Sequence, residues 1–312
     1  MIGAMAGEFA FIERLRARLP DPPAGVVGIG DDCAVLADGR LFAVDSLVAG
    51  THFDLRWCTP ADAGWKAVAV NVSDIAAMGG RPEAAVVAVT LPPGEPGLAD
   101  AVGDGLVEAA TELGVALVGG DTTSGPVLSI TVAVLGRVPD GRAPVLRRGA
   151  SVGDTVFVTG PLGLATQALD DLAAGRTPSP PAAARLHRPW PRVADGEAAA
   201  AGGATAMIDV SDGLSADIGH LCDASGVAVG IEQAAVPRPD GLSIERALTG
   251  GDDYELCFTA PDRARVDASF AAAELPAPHA VGAIIGGDRR LLLLTPDSFT
   301  DLPTGGWEHD IG

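Results

Sequence analysis

Apolar residues recur along the chain in two periods, and these periods divide it into helices and strands. Residues 8–19 place Phe9, Ile12, Leu15 and Leu19 on one helical face. Asp38-Gly39 is a hairpin signal between the strand-like runs 33–37 and 40–44. If those two residues form the whole loop, positions summing to 77 face each other and Asp32 lies opposite Asp45. Thr59-Pro60 supplies an N-cap and a first-turn proline for a helix that runs to Met78, where Gly79-Gly80 ends it. The run 84–91 reads as a strand buried on both faces, and 92–97 as a loop. A helix then runs to Leu113, before Gly114. Strands are predicted at 115–118 and 127–135, with the Gly- and Thr-rich stretch 119–126 as the loop between them.

This order predicts a first α/β unit over 1–138 and a connecting loop at 139–149 that carries Pro144, Arg147 and Arg148. A second unit, 150–312, begins with a strand at 155–159 and a helix at 162–174. The Pro-rich stretch 176–191 reads as irregular. Helices follow near 192–201, 214–224 and 262–274, and strands at 206–210, 227–231, 254–259, 281–285 and 291–294. The expected class is mixed α/β (α+β) in two domains, with no internal repeat.

Composition narrows the function. The chain is 47% hydrophobic, with a mean hydropathy of +0.28, which fits folded domains rather than disorder. No apolar run is long enough to span a bilayer. Charged residues interrupt the first helix where a secretory leader would be apolar, so a cytoplasmic protein is expected. The net charge is −20 and Lys66 is the sole lysine. No basic stripe is available to displace counterions, which argues against nucleic-acid binding. Cys33, Cys58, Cys222 and Cys257 lie far apart and read as reduced, buried thiols.

Candidate chemistry enters with the acids. They fall at predicted strand ends beside Gly or Ser: Asp31-Asp32, Asp45-Ser46, Ser73-Asp74, Gly120-Asp121, Asp209-Val210-Ser211-Asp212-Gly213 and Gly251-Asp252-Asp253. Each is ordinary turn chemistry taken alone. Together they sit where α/β folds bind ligands. Asn71, Ser73 and Asp74 are poor helix formers inside a predicted helix. They either cap a second helix or present polar atoms to a ligand. Aspartates without nearby His or Cys suit hard ions, Mg²⁺ or Mn²⁺, which are usually completed by substrate phosphates. The spacing at 209–213 does not match an EF-hand, and neither a P-loop nor a dinucleotide fingerprint is present. A nucleotide would therefore be held by metal, backbone N–H groups and arginine. Arg147 is the candidate cation, with a surface ion pair as its alternative.

In this order the motifs resemble the thiamine-monophosphate kinase family of the aminoimidazole-ribonucleotide-synthetase-like superfamily. The resemblance rests on Gly28-Ile29-Gly30-Asp31-Asp32, the stretch from Asp45-Ser46 to His52-Phe53, and Lys66-Ala67 through Ser73-Asp74 to Gly79. It continues through Gly119-Gly120-Asp121-Thr122, Arg147-Arg148-Gly149-Ala150, Asp209-Val210-Ser211-Asp212-Gly213, Asp253-Tyr254-Glu255-Leu256 and Gly306-Trp307-Glu308-His309. It implies a two-domain fold whose N-terminal domains pair through their sheets in a homodimer. It also implies transfer of the γ-phosphoryl of ATP to thiamine monophosphate, with several Mg²⁺ ions, as the last step toward thiamine diphosphate.

Carried over position by position, the resemblance gives Asp32, Asp45, Asp74, Asp121, Asp209 and Asp212 as Mg²⁺ ligands. Ala43 and Val44 stand where the family has Ser-Thr, so contacts there would come from backbone carbonyls. Gly120, Asp121, Arg147 and Ser211 become nucleotide contacts, and His52, Asp252 and Trp307 substrate contacts. Asp252 replaces a usual Glu, and Asp310 a usual Phe. The acceptor is already an anionic phosphate oxygen, so no general base is required. Competing readings are a purine-pathway synthetase of the same superfamily and a metal-stabilised module that binds a thiamine phosphate without turnover. The Cys-bearing elements expected of a selenophosphate synthetase or a hydrogenase-maturation protein are missing from the sequence.

Overall fold

The computed structural model describes residues 7–139, 141–287, 290–307 and 309. The first half contains α1 (Glu8–Arg16), β1 (Ala34–Val35), β2 (Arg40–Val48), α2 (Pro60–Ala77), β3 (Arg81–Leu91), α3 (Leu98–Glu112), β4 (Ala116–Ser124) and β5 (Ser129–Arg137). The second half continues with β6 (Thr155–Val158), α4 (Leu164–Ala173), α5 (Pro180–His187), α6 (Val193–Gly202), β7 (Ala206–Val210) and α7 (Leu214–Ser225). It ends with β8 (Ala228–Glu232), α8 (Ile244–Thr249), β9 (Glu255–Ala260), α9 (Arg263–Ala272), β10 (His279–Ile285), β11 (Leu291–Leu294) and β12 (Phe299–Asp301).

The first half builds a five-stranded mixed sheet in the order β1-β2-β5-β3-β4, and the second a seven-stranded one in the order β12-β11-β8-β10-β6-β9-β7. Within the first sheet only β3 and β4 run parallel, joined across α3. α2 is the hub. Thr59 caps it in a reciprocal box with Asp62, and one side packs on β2, β5 and β3 while the other meets α6 and β7 of the second half. It crosses α3 so closely that a Cβ on Gly105 would run into the Ala61 carbonyl oxygen. In the second half, the stacked rings of Phe157 and Phe258 (centroids 5.0 Å apart) and of Phe258 and Phe270 (6.1 Å) form one core layer. The two halves are also joined by Trp65 Nε1 donating to the Pro189 carbonyl at 3.3 Å. Two ion pairs join them as well, Arg188–Asp62 at 2.6 Å and Arg81–Glu197.

Several sequence expectations require correction. Residues 37–39 form a three-residue loop, with Gly39 at φ +83, so Ala34 faces Phe42 and Val35 faces Leu41. The facing positions thus sum to 76 rather than 77, and the ladder ends at Ala34, so Asp32 does not oppose Asp45; a one-residue slip changes every partner. β3 alternates instead of being buried on both faces, and Val86 is 44% exposed. Residues 119–124, expected as loop, continue β4 because they pair with β3 from Val86 to Leu91. The stretch read as irregular contains α5, and α8 and β12 were not anticipated. α1 ends at Arg16, and of its residues only Ala10 is buried. The position Asp310 lies outside the described residues. Among the described residues, no helix is long and apolar enough to cross a membrane.

Candidate active site

The polar residues inside α2 locate the site. Asn71 is fully buried; its amide donates to the Ala67 carbonyl at 2.9 Å and accepts from the Asp45 N–H at 2.9 Å. Ser73, equally buried, donates to Asp209 Oδ2 at 2.6 Å. These side chains meet needs of β2 and β7 that an apolar helix face would leave unmet. Asp74 follows in the same helix, so it sits between the two anchored strands rather than at a cap.

Carboxylate oxygens of Asp32, Asp74 and Asp209 lie within 4.8 Å of one another. Burial pushes Asp74 well up, reinforced by Asp45, Asp209 and Asp32. Burial and the Asp32 charge raise Asp209 to about 8. Asp45 is raised by burial, then by Asp32 and Glu8, and Asp212 reaches about 6 through burial and Glu8. Such mutual repulsion is what a bound cation relieves.

Arg147 supplies the fixed positive charge. Its Nη2 lies 2.7 Å from Asp32 Oδ1, and its backbone N–H donates to Asp31 Oδ1 at 3.0 Å. Burial works against its charge, but Asp32, Asp209 and Asp31 together hold its pKa above the usual arginine value. Asp31 itself rises to about 6 through burial and Asp32. Asp32 Oδ2 is buried and has no hydrogen-bond partner. An orphaned carboxylate oxygen facing two further carboxylates fits a hard divalent cation.

These groups line one cavity of about 1360 Å³ that lies between the halves. Ser211, Asp212 and Val44 line it near the acids. Asp217, buried in α7, accepts from the Gly213 N–H at 3.0 Å and the Asp212 N–H at 3.3 Å, which fixes that turn. His52, Lys66, Asp252, Tyr254, Trp307 and His309 also line it. His52 Nδ1 accepts from the Val48 N–H at 3.0 Å, so the neutral ring carries its proton on Nε2, 3.3 Å from His309 Nε2. Trp307 is 51% exposed, meets His309 edge-on and donates its backbone N–H to the Asp212 carbonyl at 3.2 Å. Asp252 (φ 66) and Tyr254 (φ 50) both adopt left-handed backbone. Such strain costs about 1–3 kcal/mol per residue and persists only where the surroundings over-determine it.

Three expected positions stand apart. Ala43 is buried under the sheet, and neither it nor Gly120 or Asp121 lines this cavity. Asp121 lies on exposed β4 opposite Ala88. Gly120 also has a packing reason, since a Cβ there would run into the Val87 carbonyl. Sequence reasoning did not single out Asp31, Asp217, Tyr254 or His309 as site residues. Lys66 carried the one available signal, its uniqueness.

Comparison with known proteins agrees with this architecture. Residues 30–138 match the AIR synthase related protein N-terminal domain, and residues 151–292 match the corresponding C-terminal domain. The thiamine-monophosphate kinase of Salmonella typhimurium is 40% identical, over 87% of this chain and 88% of the relative. AaThiL complexed with AMPPCP and TMP superimposes with a TM-score of 0.84 at 31% identity, covering 97% of both chains. The thiamine-monophosphate kinase from Stenotrophomonas maltophilia K279a gives a TM-score of 0.73 at 38% identity over 91% of this chain and 95% of that one. With two domain matches and full-length similarity of this order, the chain belongs to the thiamine-monophosphate kinase family of AIR synthase related proteins.

Proposed function

We propose that the protein transfers the γ-phosphoryl of ATP to the phosphate of thiamine monophosphate, giving ADP and thiamine diphosphate. The bond from the γ-phosphorus to the β–γ bridging oxygen breaks as one forms to an acceptor phosphate oxygen. The observation that carries this reading is the meeting of Asp32, Asp74 and Asp209 within 4.8 Å, beside Arg147, in a cavity with room for two substrates. The names of the relatives and the complex of AaThiL with AMPPCP and TMP support it.

Asp32, Asp74 and Asp209, with Asp45 and Asp212 alongside, are the groups that would hold several Mg²⁺ ions. When bound, those ions supply charge neutralisation between two polyanionic substrates. Arg147 holds Asp32 in place and adds a permanent cation where charge builds on the transferred group. Ser211 lies at the turn beside the acids, suited to a nucleotide phosphate contact. His52, Asp252 and Trp307 line the same cavity and are suited to the substrate ring; Trp307 offers an exposed aromatic face to a cationic ring. No side chain is asked to remove a proton, because the acceptor oxygen is already ionised near neutral pH.

Residues 1–138 would carry dimerisation and the metal and nucleotide contacts, 139–149 the connection, and 150–312 the completion of the site. The outer face of the first sheet supports a homodimer. Phe42, Val44, Val86 and Val118 are exposed on that sheet, and the ladder sets Ser46, Thr131, Ala88 and Asp121 in one row across it. A second copy packed there brings Gly120 and Asp121 toward its neighbour's cavity, which accounts for their absence from their own. The reading includes a cytoplasmic protein with no nucleic-acid or membrane partner.

The test is incubation with ATP, Mg²⁺ and thiamine monophosphate. Thiamine diphosphate and ADP should form in equal amounts. ATP consumption with a purine-pathway substrate but none with thiamine monophosphate would favour the synthetase reading and remove this one.

A further inference from the structure

We propose that Lys66 is a positioning residue that fixes the Asp252 carboxylate as an oriented acceptor for the substrate ring and keeps it out of the magnesium set. The proposal rests on the kinase reading above for the identity of the ring. Lys66 comes from α2 in the first half, and its side chain is 3% exposed. Its Nζ lies 2.8 Å from Asp252 Oδ2 and 3.5 Å from the His52 carbonyl oxygen. Asp252 Oδ1 accepts from the Tyr254 hydroxyl at 3.0 Å. Both carboxylate oxygens therefore engage donors of this chain.

Asp32 makes the contrast within the same cavity. It too is paired with a cation, but its Oδ2 is buried and unpartnered. One carboxylate keeps a free oxygen toward the other acids; the second is held at both. A carboxylate with both oxygens engaged by fixed donors has no free oxygen to offer a divalent ion. What it retains is directed lone pairs, fixed by Lys66 and Tyr254, that can accept from a donor on a ring. The ligand class is a phosphate ester whose other end is a cationic or amino-substituted heteroaromatic ring. Without the ammonium, Asp252 would become another anion in an acidic cavity, free to recruit metal where the ring should lie.

The backbone supports a clamp at this point. Asp252 and Tyr254 are two of the three non-glycine residues at positive φ among the described residues. The Asp252 N–H donates to the Ser211 carbonyl at 2.8 Å, and the Tyr254 N–H to the Val210 carbonyl at 2.8 Å. Lys66 ties this strained segment to α2 of the other half by an ion pair, and the buried Tyr254 side chain packs in the same first-half core.

The test compares wild type, Lys66→Met, Lys66→Arg, Asp252→Asn and the Lys66→Met/Asp252→Asn double variant. Steady-state kinetics are run with each substrate varied, and Mg²⁺ binding without substrate is followed by calorimetry. Lys66→Met should raise KM for thiamine monophosphate about tenfold, about 1.4 kcal/mol, with KM for ATP within about twofold. Lys66→Met should also bind more Mg²⁺ than wild type, and the double variant should lose that gain. The KM effects of the two single changes should not multiply. Lys66→Arg, which keeps the charge, should stay close to wild type and remains informative if Lys66→Met fails to fold. Equal rises in both KM values, a fall in kcat alone, multiplicative singles or unchanged Mg²⁺ binding would each overturn the assignment. A wild type that does not turn over thiamine monophosphate defeats the substrate reading instead, while the Mg²⁺ comparison still decides the role of Lys66.

Discussion

Ser73 Oγ donates to Asp209 Oδ2 at 2.6 Å, so the hub helix of one half orients a carboxylate on the edge strand of the other. Asp209 is 4% exposed and, without metal, burial and Asp32 raise it to about 8. The halves thus meet at a point of electrostatic stress, and that stress is the binding energy available to a cation.

Asp209→Asn should keep the fold and lose turnover by about 10²–10³-fold, the size typical of removing one preorganised electrostatic contact. The metal-free variant should melt no lower than metal-free wild type, since a neutral amide needs no proton to lie buried beside Asp32. Mg²⁺ at about 100 times its dissociation constant should stabilise wild type by about 2.7 kcal/mol, and the variant by clearly less. Thermal melts in EDTA and in Mg²⁺, together with an ADP-release assay, check both halves of this expectation. Near-normal rates would take Asp209 out of the ligand set.

How far the chain could be read before its structure depended on where the deciding contacts came from. α2 was legible at both ends because Thr59-Pro60 and Gly79-Gly80 are local signals. The acids were legible because Gly and Ser mark strand ends. The hairpin register was missed because Gly39 in left-handed backbone makes a three-residue loop from what reads as two. Residues 119–124 look like a turn, and only pairing with β3 makes them strand. α5 hid behind prolines because its anchors are distant: Arg185 pairs with Glu255 at 2.5 Å and donates to the Asp253 carbonyl. The partnership of Lys66 with Asp252 is likewise invisible along the chain. The aspartates, and their expected division into metal and substrate contacts, could be named in advance from the resemblance, while the partners that hold each one required coordinates.

Trp307→Ala should raise KM for thiamine monophosphate by about tenfold and KM for ATP by less than about twofold. The indole lines the cavity, half exposed and edge-on to His309, so its loss should disturb little else. Separate titrations of the two substrates decide the matter. Matching rises for both would mean that the tail supports the whole cavity rather than the ring.

Val86→Arg places a charge in the middle of the exposed sheet face. It should weaken self-association at least about 100-fold, because an unpaired charge buried at an interface costs several kcal/mol. Sedimentation equilibrium reads the shift from dimer to monomer. Activity should fall with it if Asp121 of a second copy completes each cavity, and circular dichroism should stay unchanged. A wild type that is monomeric at assay concentration would refute this arrangement.

Asp253 offers a pH-dependent prediction outside the Asp32, Asp74 and Asp209 cluster. It is fully buried, and burial raises it to about 7 against the hydrogen bond from Gly163 and the charge of Arg185. The surrounding groups are the Gly163 N–H at 2.5 Å from Oδ2, Arg185 on its own carbonyl, and Glu255, which Arg185 and Arg192 hold below its usual range despite burial. Oδ1 has no partner. A carboxyl with a raised folded-state pKa binds its proton more tightly folded than unfolded. Its contribution is therefore full below about pH 4 and is lost as pH rises toward about 7. Asp253→Asn removes that loss while keeping an acceptor for Gly163. Relative to wild type in EDTA, the variant should gain stability on the order of 1–3 kcal/mol at pH 8, with the margin closing by pH 4. Urea denaturation of both proteins across this range measures the difference directly, and a wild type that is the more stable at pH 8 would show that Arg185 keeps Asp253 ionised in the fold.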